Sequence, residues 1–269
     1  MNYTINVRGR LMDLSRPCVM GILNVTPDSF YAKSRQQTEE EIALRARQII
    51  DEGGDIIDVG ACSTRPDSTP VTEAEETERL RMALRTVRRE VPDAVISVDT
   101  FRPAVARVAV EELGADIIND VGVGDCKSST AEEQELMFRM VARLGVPYIL
   151  MSRAADMPTM LLELARDVQQ LRAWGQKDII IDPGFGFGKT LEQNYAVMRD
   201  LSQLGQLELP VLVGVSRKSM IYRLLDGQPE QALNGTTALN AVALMKGASI
   251  LRVHDVREAV ECVKIYGEL

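Results

Sequence analysis

Short apolar runs rich in β-branched residues recur along the chain. Each is followed by a polar turn and then by a stretch whose apolar positions return every third or fourth residue. The runs are CVMGILNV (18–25), DIIDVG (55–60), AVISVDT (94–100), DIINDV (116–121), PYILMS (147–152), DIIIDPG (178–184), PVLVGVS (210–216) and SILRVH (249–254). Within their cores they are continuous rather than alternating, as strands buried on both faces of a parallel sheet are. The intervening stretches have helical periodicity. Over 73–90, Leu80, Ala83, Leu84 and Val87 form one apolar stripe, and Ile42, Ala46, Ile49 and Ile50 form another upstream. Thr38 with Glu41, Thr72 with Glu75, and Thr190 with Gln193 each fit a capping box and predict a helix start. The helical pattern after 217 is doubled, with a break at DGQPE (226–230).

Eight strand–helix units in 269 residues predict an α/β fold, the (β/α)8 TIM barrel. An open doubly wound sheet is the alternative. The opening INVRGRLMDLS (5–15) alternates like a hairpin turning at Arg8-Gly9 and predicts a plug across the bottom of the barrel. Nothing reads as a linker or low-complexity segment, so 1–269 are expected to form a single domain.

Composition narrows the function classes. Aromatics are 4% of the chain and the net charge is −8. Stacking platforms for single strands and a basic footprint for DNA or anionic membrane are therefore not expected. An anionic ligand would need a local basic cluster. The four cysteines are scattered and the one histidine is His254, so a zinc site is disfavoured. The first residues lack the apolar core of a leader, and no run reaches the roughly 18 apolar residues of a membrane span. A cytoplasmic protein with reduced thiols is expected.

A barrel carries its chemistry at the C-terminal ends of its strands. The first run ends at Asn24, the second delivers Asp58 and then Ser63, Thr64, Arg65 and Pro66, and the third ends in Asp99-Thr100. The fourth ends in Asn119-Asp120, and the fifth gives little beyond Met151 and Ser152. The sixth gives Asp182 and PGFGFGK, the seventh Ser216-Arg217-Lys218-Ser219, and the eighth Arg252 and His254. Polar groups at the ends of apolar strands are costly unless paired or bound to something. Arg217, Lys218, Arg252 and His254, with Arg65, could form the cationic cluster that a phosphate needs. Asp99, Asn119 and Asp182 suit a planar heterocycle with adjacent N–H donors. Together they predict a site for a flat nitrogen heterocycle carrying phosphate.

Single positions have plainer readings. Asp58 is expected to bond neighbouring strands from inside the barrel rather than touch ligand. Cys62 reads as a packed thiol, having no histidine nearby to activate it. GFGFGKT (184–190) lacks the Walker spacing, with three residues rather than four before its GKT, so its glycines are expected to let backbone approach a flat ligand.

The motifs GILNVTPDSF (21–30), DIIDVGACSTRP (55–66), SVDTF (97–101), IIND (117–120), DPGFGFGK (182–189), VSRKS (215–219) and LRVH (251–254) resemble, in order, those of the dihydropteroate synthase family. The resemblance implies condensation of 6-hydroxymethyl-7,8-dihydropterin pyrophosphate with p-aminobenzoate, giving 7,8-dihydropteroate and pyrophosphate in folate synthesis. It implies that Asp99, Asn119, Asp182 and Lys218 hold the pterin edge. Arg252 would stack on the ring and, with His254, bind pyrophosphate, so Lys218, Arg252 and His254 are the expected catalytic residues. Asn24 would ligate a Mg2+ ion shared with pyrophosphate. Thr64, Arg65 and Pro66 would belong to a mobile loop over p-aminobenzoate, with Phe187 and Ser219 touching that substrate. A homodimer through the late helices is implied as well.

Several positions depart from the family pattern. Ala32 stands where a loop aspartate is usual, Ser152 where a histidine is, and Ala61-Cys62 where Gly-Glu is common, and the connection between the fifth and sixth strands is short. Asp67 is the candidate substitute for the loop carboxylate. The loops at 25–36 and 62–71 are expected to be the least ordered. Two other functions stay open, a pterin methyltransferase with a corrinoid partner and a non-catalytic pterin-binding paralogue.

Overall fold

The computed structural model describes residues 3–25, 32–62, 71–122 and 130–269, with side chains omitted at 32–37. Strands β1 (Thr4–Val7) and β2 (Arg10–Asp13) form an antiparallel hairpin in which Val7 pairs with Arg10. Arg8 and Gly9 make the turn with φ of 52° and 76°. Two successive positive φ values give the twist that a two-residue hairpin loop needs.

Eight parallel strands follow: β3 (Cys18–Asn24), β4 (Ile56–Gly60), β5 (Val95–Asp99), β6 (Ile117–Asp120), β7 (Tyr148–Met151), β8 (Ile179–Asp182), β9 (Leu212–Val213) and β10 (Ile250–Val253). Their order is β8-β7-β6-β5-β4-β3-β10-β9. A parallel bridge between Ile181 and Val211 joins the two edge strands, and Ile181 N donates to Pro210 O at 3.0 Å. The sheet therefore closes into the TIM barrel, and the open-sheet alternative falls. Around it lie α1 (Ala32–Asp51), α2 (Glu73–Glu90), α3 (Pro103–Glu111), α4 (Ala131–Leu144), α5 (Met157–Ala173), α6 (Leu191–Asp200), α7 (Ser219–Tyr222), α8 (Leu233–Met245) and α9 (Val256–Tyr266).

The capping boxes at Thr72–Glu75 and Thr190–Gln193 form as the sequence predicts. Thr38 is different: α1 already runs from Ala32, so Thr38 lies inside it and starts nothing. The doubled helix is real, with α7 and α8 separated by a short 3-10 turn at Pro229–Gln231.

Period two decides what each strand offers to the barrel interior. Ile56, Ile117, Ile180 and Ile250 point inward near the strand starts. There they form one apolar cluster with Ile5, Val7 and Leu14 of the hairpin segment. The hairpin thus plugs the bottom. Two residues further on, the same face carries Asp58, Asn119, Asp182 and Arg252. The intervening residues, among them Ile57, Ile118, Ile181 and Leu251, pack against the helices. One alternation therefore places an apolar floor below a polar layer.

The plug is latched by Asp116, which is buried. Its carboxylate accepts from Arg8 Nε at 2.5 Å, Arg8 Nη2 at 2.7 Å, Arg88 Nη2 at 2.8 Å and Ile96 N at 2.8 Å. Burial alone would raise its pKa, but Arg8, the Ile96 N–H and Arg88 outweigh that and hold it below the usual carboxylate range. A depressed folded pKa stabilises above the unfolded value, and that share is lost as pH falls through the folded value. Asp116→Asn is expected to cost about 1–2 kcal/mol at pH 7, discounted because Arg8 is half exposed. The gap to the parent should close below pH ~4 in urea titrations run at several pH values.

Candidate active site

The inward polar layer is a connected network centred on Asp58, whose side chain is fully buried. Asp58 accepts from Arg252 Nε at 2.6 Å, Ser97 Oγ at 2.7 Å and Asn119 Nδ2 at 3.1 Å. It bonds its neighbours across the barrel interior, as its position predicts. It also fixes two residues assigned to the pterin pocket, a role that reading did not give it. Arg252 Nη2 donates to Asp99 Oδ2 at 3.0 Å. Two carboxylates thus hold one guanidinium, and neither bond uses Nη1. Burial raises the Asp99 pKa against the opposing pull of Arg252, and Asp58 adds to the rise.

Asn119 is fully buried, and its Oδ1 has no hydrogen-bond partner. Its amide orientation is forced, because the carboxylate of Asp58 takes the NH2 side. An acceptor of this kind, buried without a donor, costs about 1–3 kcal/mol unless something else supplies one.

The loop after β8 completes this side. Asp182 is buried and accepts from Gly184 N at 2.7 Å. Burial raises its pKa, while Lys218 is the largest influence opposing that rise. Lys218 Nζ donates to Phe185 O and lies 4.5 Å from the centroid of the half-buried Phe187 ring. Its pKa is lowered to about 8, chiefly by burial. Lys189 Nζ donates to Gly184 O at 3.0 Å, and burial pushes its pKa to about 8 as well. Two of the loop glycines are required by the chain's own packing. Gly184 has φ +64°, and a Cβ there would lie 2.3 Å from Ser152 O. At Gly186, with φ +80°, a Cβ would meet Lys218 Cδ at 3.0 Å.

If Lys218 donates to the pterin, kcat/KM for the pterin substrate should fall as pH rises through about 8. Lys218→Arg should remove that fall, while Lys189→Met should keep it. A profile that Lys218→Arg leaves unaltered would transfer the titration elsewhere.

The predicted cationic cluster needs correction. Arg217 is committed to Asp255 through a two-pronged pair at 2.9 and 2.8 Å, and to Pro229 O and Glu230 O. It is a structural tie between α9 and the segment before α8. Arg252 is already paired twice, and the ring of His254 is discharged. That ring lies at the rim with Nδ1 3.0 Å from Ser216 Oγ, and its pKa is lowered to about 4 by burial and by Arg252.

Asn24 is exposed at the end of β3, and a Cβ on the facing Gly60 would lie 3.2 Å from its Oδ1. Ser219 opens α7, which is a single turn of four residues, too short for the helix-start attraction that a carboxylate would use. Thr64, Arg65, Pro66, Asp67 and most of the two loops expected to be least ordered lie outside the described residues.

Asp120, next to Asn119 on the same strand, points the other way and accepts from Tyr148 Oη at 2.6 Å. The Cys62 thiol is half-buried with its pKa raised by burial and by Glu76, so it is a packed thiol rather than a nucleophile. Ser152 accepts from Ala154 N at 3.1 Å and turns the chain after β7.

The family model described as pterin binding enzyme matches residues 20–254. Dihydropteroate synthase of Escherichia coli strain K12 is 38% identical over 273 residues, covering 96% of this chain and 93% of its own. The chain belongs to the dihydropteroate synthase family. A structure of the Xanthomonas albilineans dihydropteroate synthase with 4-aminobenzoic acid superposes with a TM-score of 0.86 at 35% identity, covering 100% of this chain and 98% of that one. The same enzyme in complex with 7,8-dihydropteroate gives 0.83 at 32%, covering 98% and 97%. Family membership thus spans the whole barrel, floor and polar layer together.

Proposed function

We propose that the chain condenses 6-hydroxymethyl-7,8-dihydropterin pyrophosphate with p-aminobenzoate, as dihydropteroate synthases do, and releases pyrophosphate. The observation that carries this reading is the lone acceptor Asn119 Oδ1, buried beside Asp58 and in the same inward layer as Asp99 and Asp182. That layer is short of donors, and the amino and ring N–H groups on one edge of a pterin supply them. Asp99, Asn119, Asp182 and Lys218 are its proposed contacts. Arg252 and His254 meet the pyrophosphate, and Phe187 and Ser219 meet p-aminobenzoate with Thr64, Arg65 and Pro66.

The chemistry asks little of a base. The methylene C–O bond breaks with its electron pair leaving on pyrophosphate, and the cation that remains is delocalised into the pterin ring. The aniline nitrogen forms the new C–N bond and gives its proton to solvent. Arg252 offsets charge on the leaving group, and a dry, fixed dipole field is worth more there than water would be. Methyl transfer to a corrinoid would release no pyrophosphate, and the Arg252–His254 pair would then have no ligand to serve. A non-catalytic paralogue would keep the pocket and lose turnover.

Mg2+ is proposed as the ion that accompanies pyrophosphate. Among the described residues no group of three His, Cys, Asp or Glu side chains could hold a metal. Asn24 alone, an exposed neutral amide, fits an ion carried in by the substrate rather than a resident one. Such an ion would offset leaving-group charge. A homodimer is proposed from the family, with α8 and α9 as its face. Among the described residues no helix is long and apolar enough to cross a membrane, and a cytoplasmic location remains a proposal.

A coupled pyrophosphate-release assay tests the reaction. Release is expected only with both substrates present, in equimolar amount with dihydropteroate, and should vanish in excess chelator. Pterin binding without release would favour the paralogue, and full release in chelator would remove the metal.

A further inference from the structure

We infer that Ser216 is a positioning residue that holds His254 in the Nε2–H tautomer, so that the ring offers a neutral donor to the phosphate of the pterin substrate. The donor role rests on the proposed function; the tautomer itself follows from hydrogen-bond counting at Ser216.

Ser216 is buried, and its Oγ lies 3.0 Å from His254 Nδ1. The same Oγ accepts from the backbone N–H of His254 at 3.1 Å. A hydroxyl has one hydrogen and two lone pairs. With one lone pair given to the backbone, its hydrogen needs an acceptor, and among the described residues the only one within reach is Nδ1. If Nδ1 carried a proton, Ser216 would accept twice and its own buried hydrogen would have no partner. An unprotonated Nδ1 satisfies every group, and the ring proton then resides on Nε2, at the exposed rim.

The surroundings support a neutral ring. Arg252 lies two residues back on the same face, and Arg217 and Arg45 are the other cations that act on it, with Asp255 alone opposing them. Burial, and then these cations, hold its pKa down to about 4. The backbone is held too: Arg45 Nη2 donates to His254 O at 2.6 Å while its Nε donates to Ile22 O at 3.2 Å. Arg45 thus ties β3 to the chain just after β10. The imidazole is fixed at its Nδ1, its N–H and its carbonyl, and only Nε2 is left to meet a ligand.

His254 is the sole histidine, so 15N-histidine labelling gives one imidazole spin system that needs no assignment. Two-bond 1H–15N correlation on the intact protein at pH 7 should show a protonated Nε2 and an unprotonated Nδ1. Ser216→Ala should average the two nitrogens toward a tautomer mixture, and Ser216→Thr, which keeps the hydroxyl, should restore the pattern. In turnover, Ser216→Ala should lower kcat/KM for the pterin substrate about fivefold to tenfold, the worth of one hydrogen bond, and leave KM for p-aminobenzoate unchanged. A protonated Nδ1, an imidazolium, or a Ser216→Ala spectrum identical to the parent would overturn the inference. Inorganic pyrophosphate with Mg2+ should shift Nε2. If the Nε2–H tautomer is present but pyrophosphate leaves it unmoved, the donor role fails with the assignment of His254 to pyrophosphate, while the Ser216 hydrogen bond stands.

Discussion

Asp182→Asn is expected to weaken pterin binding by about 2–3 kcal/mol, or roughly 30-fold to 150-fold in Kd, the scale of hydrogen bonds to a charged group. The reason is directional. One carboxylate oxygen of Asp182 accepts from Gly184 N at 2.7 Å, which leaves the other for the ligand. An asparagine that keeps its oxygen on Gly184 must turn its NH2 toward the pterin, donor against donor. Turning the other way sets NH2 against the Gly184 N–H and disturbs a loop whose glycine has no room for a side chain. Lys218 also loses the carboxylate that favours its charged form. Calorimetry of pterin binding measures the loss directly, and unchanged affinity would remove Asp182 from the pocket. A similar loss in Asp99→Asn would not contradict this, since Asp99 already shares Arg252.

Asp58→Ala should be among the most destabilising substitutions of a polar residue in this chain. Three bonds end on that side chain, one of them an ion pair in which the carboxylate is fully buried and Arg252 nearly so. Removing one partner of a buried pair leaves the other charge uncompensated, at a cost of about 3–5 kcal/mol. Asp99 still holds Arg252 by its other nitrogen, which argues for the lower part of that range. Asp58→Asn keeps the volume and should cost less. It should still raise KM for the pterin substrate, because the Asn119 amide loses the anchor that fixes its orientation. Chemical denaturation gives the first quantity and steady-state kinetics the second. A loss below about 1 kcal/mol for Asp58→Ala would mean that the network relaxes around the gap.

Asp58 also marks how far the sequence was legible. Its strand reads DIIDVG, and a carboxylate two residues beyond the inward Ile56 must share its face by the two-residue period. The pattern therefore placed it inside the barrel and bonded to its neighbours. It did not show which neighbours, because Arg252 is 194 residues away and only barrel closure brings β10 beside β3. The eight runs were legible for the same local reason: their cores are continuous apolar stretches rather than alternating ones. Asp120 ends the same run as Asn119 but faces the other way, because adjacent strand residues point to opposite faces, and Tyr148, its partner, is on the next strand. Arg217 looked like a ligand-binding cation because its sequence neighbours are Ser216 and Lys218. Its φ of +54° turns it away, and Asp255, 38 residues on, claims both prongs of its guanidinium. Thr38 satisfied a capping pattern inside a helix that had already begun, a context that four residues cannot reveal. Local periodicity thus carried the fold and the inward layer, whereas the pairing of charges depended on contacts that form only when the barrel closes.

The pocket's unsatisfied acceptor makes the most direct test a crystal structure of the chain with the pterin pyrophosphate bound. Asn119 Oδ1 should then lie within about 3.2 Å of a pterin N–H or amino nitrogen. Asp182 should accept from the same edge, and the pyrophosphate should lie toward Arg252 and His254. A pterin bound elsewhere, or one in this barrel mouth that leaves Asn119 Oδ1 without a donor, would contradict the proposed site.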